Sequence, residues 1–473
     1  MYLKHTKIVA TISDFRCSEE FIRELFEAGM NVVRINTAHQ DLEGSRKVVE
    51  VVRKVSDHIA ILIDTKGPEI RTTVCRDPIE VGAGDLIEVV GNPDLPCIPG
   101  RICVNLNGFA KHLAPGNQIL IDDGDIGMTV LEIKGDVVVC RVINSGHIKS
   151  RKSVNVPGAR LNLPALNEKD REYIQFAIDH DIEFIAHSFV RTKEDVLEIQ
   201  KILDQQGSPV KIIAKIENQE GVDHIHEILN HVYGVMVARG DLGIEIPAEQ
   251  IPGIQRRLIR ECIHRKKPVI IATQMLHSMI ENPRPTRAEI SDVANAIYTG
   301  TDALMLSGET AYGNYPVEAV RTMTNVAREV ENNREVTGIT ISSIDNKIAA
   351  FLANAAFRAS TELHTSAVII DTLTGRTGRY MAAFRSGNPV YAACYTQRVV
   401  RELALSYGIV PFFIVKRANT DIFKRDVAAY LLEKGQIKLT DRIALIGGSF
   451  GPQKGASFLE ITRPKDILAH LPG

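Results

Sequence analysis

The chain lacks any apolar run near the roughly 18 residues that a membrane span requires, which argues against a membrane protein. Its first segment, MYLKHTKIVATIS, turns polar too soon for a signal peptide and reads as a strand. It lacks a charge excess: 56 Lys and Arg stand against 58 Asp and Glu, a formal net charge of −2, with no long run of one sign. That excludes a broad nucleic-acid or anionic-membrane surface and leaves room only for local basic pockets. The seven cysteines (Cys17, Cys75, Cys97, Cys103, Cys140, Cys262 and Cys394) are odd in number, scattered and without a CxxC pair. This argues against a disulfide framework or a zinc site and for reduced thiols in the cytoplasm. Short repeats and low-complexity segments are also missing. What is present is a 473-residue chain, 44% hydrophobic and 24% charged, with the composition of a soluble enzyme of about three domains.

The chain opens on short β-branched runs alternating with amphipathic helices. KIVATIS (7–13), NVVRINTA (31–38) and IAILIDTK (59–66) read as strands, and Ser18 and Gly29 bracket the first helix. From 69 to 162 the texture changes to short alternating pieces such as DLIEVVG, QILIDDG and GDVVVCRVI, separated by Gly, Pro and Asp; this predicts an inserted small β-barrel. The α/β alternation then resumes with FIAHSFV, KIIAKIEN, GVMVARG, PVIIATQM and ALMLSGE, and Thr286 with Glu289 forms a capping box. Counting both sides of the insert gives eight strands, as a (β/α)₈ TIM barrel over 1–68 and 163–338 requires, with the insert leaving its C-terminal face after strand three. From 345 to 473 a helix (347–363) and the strands SAVIID, PVYAACY, VPFFIV and RIALIGG predict an open parallel α/β domain.

Function in such a barrel sits at the C-terminal strand ends, and there charge interrupts the apolar runs. Residues two apart on a strand point the same way, which pairs Arg34 with Asn36, Asp64 with Lys66, Lys215 with Glu217 and Arg239 with Asp241. Thr273 ends the seventh strand; Ser307 and Glu309 end the eighth. Any one pair reads equally well as a satisfied ion pair; the same pattern on most strands of one barrel reads as a site. Glu217 and Asp241 are hard oxygen ligands suited to Mg²⁺ or Mn²⁺, and Lys215 and Arg34 supply cations for phosphate. Together they fit a phosphorylated acid as substrate. His187 reads as a packed barrel histidine.

At these residues the chain resembles the pyruvate kinase family nearly end to end. The resemblance runs through DTKGPEIRT (64–72), VNVPGARLNLPALNEKD (154–170), KIENQEGV (215–222), VMVARGDLGIEIP (235–247), ATQMLHSM (272–279), NPRPTRAEISDVANAI (282–297) and MLSGETA (305–311). It implies phosphoryl transfer from phosphoenolpyruvate to ADP in glycolysis, in a cytoplasmic homotetramer. It further implies that Glu217 and Asp241 hold Mg²⁺ (or Mn²⁺), that Lys215 neutralises the phosphoryl group in flight and that Arg34 clamps it. By the same likeness the backbone of Arg239, Gly240 and Asp241 forms the substrate-carboxylate turn, Gly240 granting close approach. Thr273, with water, handles the enol carbon. The insert is then a lid, with Arg71, Asp123 and Lys152 reaching the nucleotide phosphates beside Arg34 and His39. Asn36, Asp64 and Thr65 are the implied K⁺ ligands.

The departures from the family pattern gather on the nucleotide and K⁺ side. Ser13–Arg16 stands for a GPAS-like loop, Ala38 for a serine that ligates K⁺, Gln40 for a glycine and Tyr312 for a lysine or small residue. Glu69 is the residue type of K⁺-dependent members. Asp14 leaves open an acceptor nucleoside diphosphate other than ADP, and the altered half leaves open a paralogue that binds phosphoenolpyruvate without efficient transfer. A metal-dependent pyruvate lyase is disfavoured by the lid and third domain. In that third domain, Thr372, Thr374, Gly375, Arg376 and Thr377 lie between a strand and a helix, where an anionic effector or a simple helix cap is expected. The GGSFGPQKG loop names no effector.

Overall fold

The computed structural model describes residues 4–159, 161, 163–334, 341, 344–417, 419–448 and 455–469; most of the GGSFGPQKG loop lies outside them. Eight parallel strands close into a barrel: β1 (Lys7–Thr11), β2 (Val32–Asn36), β3 (Ala60–Asp64), β4 (Phe184–His187), β5 (Lys211–Ile216), β6 (Gly234–Ala238), β7 (Val269–Ala272) and β8 (Ala303–Leu306). β8 pairs with β1 through Lys7 and Ala303, which completes the ring. The strands are apolar on both faces because both are covered. Val9, Val32, Leu62, Phe184, Ile213, Met236 and Ile270 fill the interior, while Ile8, Val33, Ile61, Ile185 and Ile212 pack against the helices. Local signals agree with this ring. The Ser18 side chain caps the first helix, Gly29 ends it at φ 121°, and the Thr286–Glu289 capping box forms in full.

The insert enters after β3, before the helix Glu168–Asp179 that leads to β4. Its six-stranded sheet curls into the small barrel, ordered 154–155, 118–121, 126–134, 137–142, 86–91, 101–104, over its own core around Val89, Ile102, Phe109 and Val130. It therefore stands above the C-terminal ends of the barrel strands.

The last unit is a five-stranded sheet over a separate core. Ile409–Phe413, Val390–Cys394, Ala367–Thr372 and Ile443–Gly448 run parallel, as expected. Ala456–Thr462 adds an antiparallel edge strand that the sequence analysis does not foresee. The unit docks on the N-terminal end of the barrel. There Arg385 makes two hydrogen bonds to Asp302, at 2.6 and 3.0 Å, and both side chains are buried.

Candidate active site

The charged residues at the C-terminal strand ends converge in a buried cluster. Lys215 projects from β5 into the barrel mouth. Its ammonium lies 3.1 Å from Asp64 Oδ1 on β3, 2.9 Å from Glu217 Oε1 and 2.8 Å from the Ser188 hydroxyl. Arg34 on β2 donates from Nε to Asp64 Oδ2 at 2.6 Å and from Nη1 to Thr11 Oγ1 at 3.0 Å. Asp64 is thus held by two cations. Burial alone would raise its pKa, but Lys215 and Arg34 bring it below the usual carboxylate range. Burial would likewise lower the Lys215 pKa, yet Asp64, Glu217 and Asp241 carry it above its ordinary value, so the lysine stays charged.

Glu217 is the strained member. Burial pushes its carboxyl up to about 7; Lys215 opposes that rise and Asp241 adds to it. Two mutually repelling carboxylates, one of them costly to keep ionised, are what a divalent cation relieves. Among the described residues no group of three or more His, Cys, Asp or Glu is arranged around a metal. A pair fits Mg²⁺, which keeps water and substrate oxygens in its remaining positions.

The sixth and seventh strand ends depart from simple alternation. β6 stops at Ala238, and Arg239–Glu245 is a short helix with Asp241 in its first turn. Arg239 therefore does not share a strand face with Asp241. Its guanidinium turns away to Asp292 (2.8 Å) and to the Thr273 carbonyl (2.9 Å), leaving only its backbone in the turn. Thr273 lies one residue beyond β7 with φ 67°, a costly conformation for a β-branched residue. Its hydroxyl accepts from the Gly240 N–H at 2.7 Å and donates to the Ala272 carbonyl at 2.7 Å, so the 239–241 turn and Thr273 are one unit. A Cβ on Gly240 would meet Thr273 Oγ1 at 3.4 Å, an ordinary contact, so the protein's own atoms do not crowd this position. Glu309 is also no free acid, since it accepts from the Leu276 and Ser307 N–H groups. His187 is buried, and burial pulls its pKa down to about 4, as a packed histidine requires.

On the lid, the Arg71 backbone bridges to Ser153, whose hydroxyl donates to Asp123 at 2.8 Å. Arg71 leans on Glu69, and Lys152 pairs with Asp122 at 2.8 Å. Arg71, Asp123 and Lys152 are gathered at the lid base, with Arg71 and Lys152 each held by a carboxylate. A cleft of about 320 Å³ between lid and barrel is lined by Glu69, Asp123, Asp241 and Glu245; a second, of about 930 Å³, by Lys66, Glu69, Arg71 and Lys169. Ala38 and His39 are exposed beside Asn36, whose side-chain oxygen accepts from the Ala38 N–H at 3.2 Å. Thr65 Oγ1 lies next to Ser188.

In the third unit, Thr372 and Thr377 are buried while Thr374 and Arg376 are exposed. Gly375 takes the N-cap position at φ 73° with no side-chain cap, so the simple threonine-cap reading fails. Arg376 lies 3.5 Å from Asp345.

The sequence reasoning missed Ser188 and the backbone of Phe189, which donates to Glu217 Oε2 at 2.6 Å. Neither carries a charge or a motif signal, and the FIAHSFV run places them only as the tail of a strand.

Family models for "Pyruvate kinase, barrel domain" and "Pyruvate kinase, alpha/beta domain" match residues 3–320 and 350–462. A pyruvate kinase of Borreliella burgdorferi is 46% identical, over 99% of both chains. One from Bacillus licheniformis is 42% identical over 99% of this chain and 82% of its own. The crystal structure of a pyruvate kinase from Cryptosporidium parvum superposes with a TM-score of 0.92 at 33% identity, covering 97% of this chain and 96% of that one.

Proposed function

The chain belongs to the pyruvate kinase family, and from that premise we propose how its own residues carry the family's reaction. It is a glycolytic phosphotransferase, moving a phosphoryl group from phosphoenolpyruvate to ADP to give pyruvate and ATP. The observation that carries the reading is the Lys215 ammonium, held charged beside the Glu217 and Asp241 carboxylates at the barrel mouth.

Phosphoryl transfer asks the protein mainly for positioning and for positive charge where the phosphoryl oxygens pass. Lys215 supplies that charge from one side and Arg34 from another. Glu217 and Asp241 would hold Mg²⁺ or Mn²⁺, which when bound supplies further charge and a template for the substrate oxygens. The Arg239 side chain, through Asp292 and the Thr273 carbonyl, fixes the turn whose Arg239–Gly240–Asp241 backbone would take the substrate carboxylate. The Thr273 hydroxyl, already within a chain of hydrogen bonds, would relay a proton with water toward the enol carbon. Arg71 and Asp123 would close over the nucleotide phosphates, with Lys152 reaching them and His39 at the barrel rim, as the lid excludes water. Residues 1–68 with 163–338, 69–162 and 345–473 are the three domains of this reading, which includes a homotetramer in the cytoplasm. In the third, Thr374 and Arg376 are the exposed part of the anionic-effector site that Thr372, Gly375 and Thr377 complete.

Asn36, Asp64 and Thr65 are proposed to bind K⁺, with Ala38 contributing no hydroxyl. Turnover is therefore expected to rise with K⁺ but to need more of it than a serine-bearing relative does. Measuring the rate over a potassium series at constant ionic strength, against sodium alone, checks this; equal rates in both salts contradict it. An Ala38→Ser variant should reach half-activation at several-fold lower K⁺.

A further inference from the structure

Lys215 has three N–H donors and three acceptors, and only one of those acceptors is uncharged. Asp64 is shared with Arg34, and Glu217 is committed to the cation site proposed above. The Ser188 hydroxyl is neutral, and its contact with the Asp64 carboxylate, at 3.4 Å, is longer than its bonds to Lys215 and Thr65. Ser188 is 2% exposed, accepts from Lys215 Nζ at 2.8 Å and donates its own proton to the Thr65 carbonyl at 2.6 Å. With that proton spent on Thr65, the hydroxyl lone pairs face the ammonium. The Ser188 N–H is tied as well, donating to Thr65 Oγ1 at 3.1 Å.

The next residue does the corresponding service for Glu217. Phe189 adopts φ 56°, an uncommon conformation outside glycine, and its N–H donates to Glu217 Oε2 at 2.6 Å. The turn is clamped from above by Gly67, at φ 70°. A Cβ there would stand 2.8 Å from Ser188 Cβ and 2.9 Å from a Phe189 ring carbon. Strain of this sort persists where the surroundings over-determine the conformation, and here they do.

We propose that Ser188 is a positioning residue for phosphoryl transfer, its hydroxyl aiming the Lys215 ammonium while the adjacent Phe189 N–H separately aims Glu217. With Glu217 committed to a divalent cation, Lys215 would keep Ser188 and Asp64 and have one N–H for the phosphoryl group. The proposal rests on the role given to Lys215 above.

The test compares Ser188→Ala and Lys215→Met with the full-length wild-type enzyme. It reads kcat, the KM for phosphoenolpyruvate, and Mn²⁺ affinity by electron paramagnetic resonance. Ser188→Ala is expected to lower kcat by about ten- to thirtyfold, the cost of one buried hydrogen bond to a charged group. KM and Mn²⁺ affinity should stay within about twofold, because Phe189 still holds Glu217. A kcat within twofold of wild type overturns the proposal. So does a fall in Mn²⁺ affinity parallel to the fall in kcat, which marks collapse of the whole turn. A Lys215→Met enzyme that still turns over would instead remove the reading underneath, whatever Ser188→Ala does.

Discussion

Lys215→Met is expected to lower kcat by at least about 10³-fold while leaving Mn²⁺ binding in place. The side chains have similar length, so the substitution removes charge with little change in volume. What it removes is an ammonium in direct contact with both Asp64 and Glu217. Asp64 retains Arg34, and Glu217 retains the Phe189 N–H, so the cation ligands keep their places. The transition state loses a charge that water cannot replace in a buried site. Single-turnover formation of pyruvate, followed beside a Mn²⁺ titration, measures both halves of the expectation. Near-normal turnover would take Lys215 out of the mechanism.

The second large effect lies at the other end of the barrel. Arg385→Met should destabilise the protein by about 3–5 kcal/mol, since it strands a buried carboxylate. Asp302 sits just before β8 and also accepts from the Val269 and Tyr407 N–H groups; Arg385 further donates to the Gly300 carbonyl and lies 4.8 Å from the centre of the Tyr407 ring. These contacts join the barrel to the third unit. The double variant Arg385→Met, Asp302→Asn removes both charges and should recover much of the loss, because the pair together gains little over a neutral replacement. Urea unfolding midpoints of the three proteins check this. A single variant as stable as wild type would contradict the assignment of the pair as a docking contact.

The sequence made the barrel legible because buried parallel strands are apolar on both faces, and charge at their ends stands out against that background. Lys215, Glu217, Arg34 and Asp64 were readable on those grounds and do converge. The pairing of Arg239 with Asp241 on one strand face fails because alternation ends at Ala238, where the backbone already turns helical. Lys152 looked free to reach phosphate, and its partner Asp122 lies thirty positions away in sequence. Ser188 and Phe189 were invisible for a related reason. Their importance comes from a left-handed turn packed on Gly67, and no periodicity records a positive φ at phenylalanine. The antiparallel edge strand, in which Ser457, Glu460 and Thr462 interrupt the apolar residues, likewise follows the sheet only once the sheet exists to pair with it.

The most direct test of the central claim is simultaneous measurement of pyruvate and ATP formed from phosphoenolpyruvate and ADP, with Mg²⁺ and K⁺ present. The account predicts one ATP for each pyruvate, at a rate that depends on Lys215. Binding of phosphoenolpyruvate without ATP formation, under any nucleoside diphosphate supplied, would contradict it.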